Sequence, residues 1–404
     1  MVKIYSKVYL LILAVFAMVS VSCGSSQGSL PCIDVHKNYP EKEILITDIA
    51  DISYVHLDAQ DRDYLFSGII NYVTESAIVV NDRSSGSVLF FSRDGRPKSR
   101  FNHYGRGPGE YTEAIMIRII YDEIADDVFL FFSGFATPLG ASILVYSSTG
   151  EYKRSLVLPK GVDPSTPIDF DAQSLFFYDE RNQFEKMSKR EIHRSPDSFH
   201  SDYYRISKTD GAVLDSLDFP SNEADLTFRG PRSSATVATV SRVGKYAAGL
   251  YLCHADADTV FLYDGVLRPV ICKTPLASDL DPKTYMSDFV GLGRYQFVQT
   301  HTQYNWRKIP KEKWSEYEKY YVHDTHTGEI FRQKISLPEY KGKTFYMSSY
   351  HTYYNRKETI AVFSMNMLEL KDAYDAGRLS GELRALVGRL DEDVDNIYLF
   401  ARFK

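Results

Sequence analysis

The sequence predicts an all-β protein, a six-bladed β-propeller built from four-stranded antiparallel blades. Three observations lead there: an aromatic share of 14%, a hairpin-like unit that recurs five times, and a spacing between recurrences that suits four strands. The aromatic residues are 30 Tyr and 24 Phe against 2 Trp, and rings of this kind are favoured on pleated, half-buried strand surfaces. The recurring unit is an apolar or aromatic run, a short polar turn ending in Gly, and a second alternating run. It reads VLFFSRDGRPKSRF from Val88, ILVYSSTGEYKRSLVL from Ile143 and YYRISKTDGAVLDSLDF from Tyr203, then TVFLYDGVLRPVICKT from Thr259 and YYVHDTHTGEIFRQKISL from Tyr320. Its turn glycines are Gly95, Gly150, Gly211, Gly265 and Gly328, placed where a tight hairpin needs a positive φ. They are separated by 55, 61, 54 and 63 residues. Such a period is too long for two ordinary strands and right for four with their connections, which is the propeller blade.

At the N-terminus, Lys3 and Lys7 precede an apolar run from Val8 to Val19, the layout of a secretory signal. The run falls short of the roughly 20 apolar residues a spanning helix needs. Two cleavages compete. The small residues Ser20 and Ser22 suit ordinary signal peptidase, and Cys23 after Ser22 suits a bacterial lipobox, although Ser20 stands where an aliphatic residue is usual. The lipobox is preferred, which makes residues 1–22 a lipoprotein signal peptide, Cys23 the lipid attachment site, residues 23–43 a tether and residues 44–404 the propeller. Several acyl chains on Cys23 exceed the two signals that stable anchoring requires. No acidic residue follows Cys23 directly, so the anchor is expected to face the periplasm. Without the leader the chain has 45 Lys and Arg against 53 Asp and Glu, a net charge of −8. With no basic tract, it lacks the footprint of a nucleic-acid binder. The expected partners are the membrane, through the lipid, and a glycan, peptide or protein ligand; a monomeric body without a cofactor is expected.

From Ile44 to Lys404 there are 361 residues, room for six periods, yet only five turns are found. The sixth blade is expected to close the ring from both chain ends, using Ile44 to Ile46, Ile52 to Leu57 and Asn396 to Phe403. Val88 to Phe91, Val128 to Phe132 and Ile143 to Tyr146 are apolar nearly throughout, as suits strands covered on both faces by neighbouring blades. Arg181 to Ser201 is polar and reads as a solvated insertion in the third blade. Between Met367 and Asp391, Leu383, Leu386, Val387 and Leu390 recur at helical spacing, with Ser380 a good N-cap and Glu382 suited to the helix N-terminus. Two short helices split at Gly377 are expected as an insertion in the closing blade. Of the other cysteines, Cys253 and Cys272 could pair in an oxidising compartment, though both lie in apolar runs where an unpaired Cys behaves as a small hydrophobe.

Three stretches carry a family resemblance: Gly105-Arg106-Gly107-Pro108-Gly109-Glu110-Tyr111; Asp258-Thr259-Val260-Phe261 leading to Asp264-Gly265 and Pro269; and Leu390-Asp391-Glu392-Asp393 leading to Ile397-Tyr398-Leu399-Phe400. On these the sequence resembles the six-bladed β-propeller lipoproteins of unknown function found in Gram-negative gut bacteria. The resemblance implies a fold and an anchor along essentially the whole mature chain, and no general reaction.

Candidate chemistry is sparse. The Gly105 to Tyr111 loop lacks the Gly-Lys-Ser/Thr ending and the following helix of a phosphate loop, which leaves a fixed inter-blade connection or, alternatively, Arg106, Glu110 and Tyr111 facing a ligand. His301 and His351 share the pattern H-T-x-Y-N at a spacing of 50 and could be delivered to one end of the channel, although no metal site is expected from them. His254 to Asp258 lacks the central Gly and distal Glu of a calcium loop. No catalytic signature is present. The expectation is a binding or scaffolding propeller that holds its partner at the channel mouth. The alternative is a lyase, lactonase or glycoside hydrolase with its site in the channel, to be favoured if several Glu, Asp, Asn or His converge there.

Overall fold

The five turn glycines set the frame. In the computed structural model, each sits in the hairpin between the third and fourth strands of a blade. The structure describes residues 30–58, 62–112, 118–132, 142–158, 162, 164–179, 201–219, 227–230, 233–236, 243–254, 257–304, 309–390 and 394–404. The expected leader, Cys23, the first part of the expected tether and the polar stretch 181–200 lie outside the described residues. At Gly95, φ is +88° and a Cβ would come within 1.9 Å of the His56 carbonyl oxygen, so backbone handedness and a close approach both require glycine. Gly328, with φ +72° and nothing near its Cβ position, is required for handedness alone.

The chain begins with β1 (Cys32–Asp34), β2 (Glu41–Leu45), a single helical turn α1 (Ile46–Ile49) and β3 (Ala50–Val55). Blade 1 is β4 (Gly68–Val73), β5 (Ala77–Asp82), β6 (Val88–Ser92) and β7 (Pro97–Phe101). Blade 2 is β8 (Arg118–Asp122), β9 (Asp127–Phe131), β10 (Ser142–Tyr146) and β11 (Tyr152–Val157). Blade 3 is β12 (Pro164–Asp169), β13 (Ser174–Asp179), β14 (Tyr203–Ser207) and β15 (Val213–Leu217), followed by a separate hairpin of β16 (Thr227–Gly230) and β17 (Ser233–Thr236). Blade 4 is β18 (Val243–Tyr246), β19 (Gly249–Cys253), β20 (Thr259–Tyr263) and β21 (Leu267–Thr274). Blade 5 is β22 (Thr284–Leu292), β23 (Tyr295–Thr302), β24 (Glu318–Asp324) and β25 (Glu329–Ser336), with β26 (Thr344–Phe345) paired to β25. Blade 6 is β27 (Thr352–Tyr354), β28 (Thr359–Asn366), β29 (Asn396–Phe403) and β3.

This arrangement explains the missing sixth turn. In blade 6 the fourth strand comes from the N-terminal end of the chain, with Phe400 opposite Ser53 and Tyr398 opposite Val55, so no hairpin joins it to the third. One expected piece goes elsewhere. Ile44 and Leu45 belong to β2, which runs parallel to β25 on the rim of blade 5, pairing Ile44 with Ile335. Ahead of it, β1 runs parallel to β21 on blade 4, so strands paired to the blades are present from Cys32, ahead of Ile44. The expected Cys253 to Cys272 alternative is also corrected. Cys32 faces Cys272 in the β1–β21 register with Cα atoms 4.4 Å apart and forms the disulfide, and Cys253 keeps its thiol, buried.

Second and third strands are covered on both faces: β5, β9 and β13 are buried along their whole length, whereas β7 and β15 on the rim alternate or are mostly exposed. The aromatic excess sits between the blades, where Tyr146, Tyr204, Tyr321, Phe91, Phe129 and Phe177 are almost fully buried. Rings at centroid distances near 5 Å in edge or tilted contact, such as Phe90 on Tyr121 and Tyr251 on Phe289, have the geometry aromatic pairs prefer. The C-terminal helices are α2 (Met367–Asp375) and α3 (Gly381–Val387), inserted between β28 and β29 and packed on the blade 5 and 6 core through Leu370, Leu383 and Val387. Asn366 caps α2 by accepting from the Leu368 and Glu369 N–H groups. Ser380 occupies the N-cap of α3 but its side chain makes no cap bond. The Glu339 carboxylate accepts from Leu383 N–H instead, at 2.8 Å, where an anion also suits the helix dipole. Among the described residues no helix is long and apolar enough to cross a membrane.

Candidate functional site

The first strand of each blade is the innermost. Around the ring β4 touches β8, β8 touches β12, β12 touches β18, and β27 touches β4. They enclose a cavity of about 450 Å³ to which all six contribute: Tyr72 from β4, Arg118 from β8, Ser165 to Asp169 from β12, Lys245 from β18, Asp288 from β22 and Tyr353 from β27. Gln299 and His301 of β23, Glu318 of β24 and Ser348 to Tyr350 complete the lining. The exposed Tyr350 stands at its rim.

Three of the inner strands lose their regular register at this level. Breaks fall between Ile70 and Tyr72, between Ser165 and Ile168, and between Met286 and Asp288. Bulges re-aim side chains and concentrate beside binding sites. Within the second break Thr166 has φ +45°, a conformation costly for a β-branched residue. Its buried hydroxyl has no hydrogen-bond partner among the described residues. A strained backbone that presents an unused hydroxyl to a cavity is the kind of feature that clusters at functional sites.

At Asp169 the cavity wall joins a ring of ions. Lys208 Nζ lies 2.7 Å from Asp122 Oδ2 and 2.6 Å from Asp169 Oδ1. Arg356 Nη2 lies 2.6 Å from Asp122 Oδ2, and its Nε lies 2.7 Å from Asp169 Oδ2. Arg356 comes from the turn after β27 with φ +70°, so it reaches from blade 6 to blades 2 and 3 across the channel. Burial pushes the Asp122 carboxyl up, but the hydrogen bonds and charges of Lys208 and Arg356 outweigh it and hold it below the ordinary value.

Elsewhere in the wall the acidic groups also have donors. Asp288 accepts from Ser348 Oγ at 2.7 Å and from Ser349 N–H at 2.8 Å, yet its burial prevails and raises its pKa. Glu318 accepts from Tyr320 Oη at 2.8 Å and faces His301 Nδ1 at 3.7 Å. The His301 hydrogen bond lowers its pKa, with burial opposing and Tyr320 assisting. Two cations stand apart. Arg118 lies over the Tyr353 ring at 5.6 Å, with a buried Nε that has no hydrogen-bond partner among the described residues. Lys245 lies over Phe170 at 4.8 Å and Tyr354 at 5.8 Å. Burial lowers the Lys245 pKa against the opposing pull of Asp169 and Asp171.

The structure separates the sequence candidates. His301 lines the cavity. His351 does not, although Tyr350 and Thr352 on either side of it do. The two come from the end of β23 and the turn before β27, so their shared pattern does not mark equivalent positions. Among the described residues no group of three or more His, Cys, Asp or Glu could hold a metal ion. Arg106, Glu110 and Tyr111 line no part of the cavity. They belong to the connection between blades 1 and 2, where Glu110 accepts from Gly107 N–H at 2.6 Å. There Tyr111 is buried, accepts from His103 N–H and donates to the Gly86 carbonyl. Burial pushes the Tyr111 hydroxyl pKa up to about 12, against the His103 bond. Asp258 is structural: it pairs at 2.8 Å with the buried Lys273. Arg118, Thr166, Lys245 and Asp288 were not singled out from the sequence. Each lies on the first strand of its blade, and no short motif marks it in the sequence.

A family described as 6-bladed beta-propeller matches residues 24–216, which include the N-terminal strands and blades 1 to 3. The crystal structure of a Bacteroides fragilis protein, provisionally named as exported, is similar with a TM-score of 0.60. It is 14% identical and covers 93% of this chain and all of its own. A member of the duf4221 family from Bacteroides vulgatus follows with a TM-score of 0.47, 10% identity, and 88% and 97% of the two chains covered. No curated protein matches the chain. Both the fold and the family match agree with the six-bladed propeller that the resemblance of Gly105 to Tyr111 and the two later stretches implies.

Proposed function

We propose that this six-bladed β-propeller is an exported, lipid-anchored binding protein that takes a small saccharide in its central cavity. The observation that carries the reading is convergence. Six inner strands meet at one cavity of about 450 Å³, within the size range of small-molecule sites, and three of them bulge there. The wall alternates tyrosine rings, which can stack on sugar faces, with hydroxyl and amide groups from Ser165, Thr166, Ser287 and Gln299. Such a surface can bind a polyhydroxylated ligand through stacking and hydrogen bonds together.

Filling the mouth tests this directly. Ser349, part-buried in the lining, gives Asp288 both its hydroxyl and its backbone N–H, and the backbone bond survives side-chain replacement. Ser349→Trp is expected to leave the thermal midpoint near that of the parent and to remove the stabilisation given by a bound saccharide, which follows ligand occupancy. Saccharide stabilisation that persists in the variant would place binding elsewhere. The anchor has a separate test: Cys23→Ala is expected to abolish metabolic acyl labelling and release the protein from the membrane fraction, and unchanged labelling would refute lipidation.

One observation favours the enzymatic alternative. The Glu318 and His301 pair resembles a carboxylate-oriented general base and sits beside the buried Asp288. If the cavity is catalytic, Glu318→Gln should spare saccharide binding and abolish turnover.

A further inference from the structure

We propose that the saccharide is acidic, bearing a carboxylate or a sulfate ester, and that Arg118 and Lys245 are its anion-binding residues. This rests on the cavity reading above and names the ligand class.

The buried cations of this molecule fall into two groups. The other buried or cavity-adjacent cations have carboxylate partners: Lys208 and Arg356 share Asp122 and Asp169, and Lys273 has Asp258. The acidic groups of the wall are equally well served, Asp169 by two cations, Asp288 by Ser348 and Ser349, Glu318 by Tyr320 and His301. Arg118 and Lys245 alone in this wall rest on aromatic faces, with no hydrogen bond or ion pair among the described residues. A ring face attracts a cation but leaves its N–H donors unused. A fold that leaves such donors desolvated at a cavity gives up stability, and an oxyanion would recover it through charge-assisted hydrogen bonds, which are the stronger kind. Arg118 is held over Tyr353, whose hydroxyl is fixed at 2.8 Å to the Ile70 carbonyl. Lys245 is held between Phe170 and Tyr354. Both cations are therefore pre-positioned by rings. An anion between them would also meet Asp169, Asp288 and Glu318, but each of these already has its donors.

Isothermal titration of the purified protein with glucuronate, galacturonate and glucose 6-sulfate, against glucose and galactose, tests the proposal. The acidic sugars are expected to bind at least about tenfold more tightly than the neutral ones. Arg118→Gln and Lys245→Gln should each remove about tenfold of that preference, and Arg118→Lys and Lys245→Arg should restore part of it. Among the described residues neither side chain makes a close ion pair, although Lys245 feels the charges of Asp169 and Asp171, and the thermal midpoint of each variant checks that it folds. Binding of the uronates alone identifies a carboxylate ligand and of the sulfate alone a sulfate ester; either supports the proposal. Equal binding of acidic and neutral sugars, or acid binding that ignores both Gln variants, overturns it and spares the cavity reading if Ser349→Trp still abolishes binding. If none of the five sugars binds, both readings fall.

Discussion

Replacing Lys208 with Met is expected to lower the free energy of unfolding by about 3–5 kcal/mol, the usual penalty for removing one member of a buried ion cluster. A shift of the urea midpoint at unchanged slope would read it. The Lys208 side chain is 6% exposed and its two partners, Asp122 and Asp169, are each 4% exposed, so water cannot replace the lost ammonium. Arg356 would be left to compensate two carboxylates from one guanidinium. The pH dependence carries a definite sign. Because the Asp122 pKa is below its ordinary value of 3.8 in the folded state, the cluster's contribution is full above that value and disappears as pH falls through the lower, folded one. The gap between parent and variant should therefore be widest near neutrality and narrow in acid. A variant equal to the parent at pH 7 would show that the ring of ions does not stabilise the fold.

Cys32→Ser is expected to cost about 2–5 kcal/mol, toward the upper part of the range because the cross-link closes a long loop. The bridge spans 240 residues, joining the first strand to the last strand of blade 4 and thereby enclosing blades 1 to 3. The measurement is the denaturation midpoint of the variant against the oxidised parent, with the reduced parent expected to behave like the variant. If reduction leaves the midpoint unmoved, the parallel β1–β21 pairing holds the strand without covalent help.

The ring was legible in the sequence because its signals are local. A hairpin glycine such as Gly150 and the apolar run from Val128 to Phe132 each announce themselves within a few residues, and their recurrence counts the blades. The rim was less legible. Cys32 and Ile44 pair with Cys272 and Ile335, and nothing nearby in sequence distinguishes these from other edge partners. The candidate site was least legible of all. Its residues come from all six blades, so Lys245 and Arg118 look like ordinary surface charges until closure of the ring puts them in one wall. His301 was found through a repeat with His351 that does not correspond to symmetry, and the Gly105 to Tyr111 loop drew attention with glycines that serve a connection. Sequence patterning records where the backbone turns and which faces are dry; a site assembled across six blades leaves no short-range pattern.

The entry of the chain at the rim also decides how the ring would carry a mechanical load. Tension applied upstream of residue 32 meets the Cys32–Cys272 bond first and passes into the outer strand of blade 4, whose hydrogen bonds spread it through one blade. The closing strand β3 lies further along the chain, behind β2 and α1, and so stays out of the force path while the bridge is intact. Under such a load the ring would keep its seam shut and its inner strands in place, and reduction of the Cys32–Cys272 link would transfer the strain to the seam.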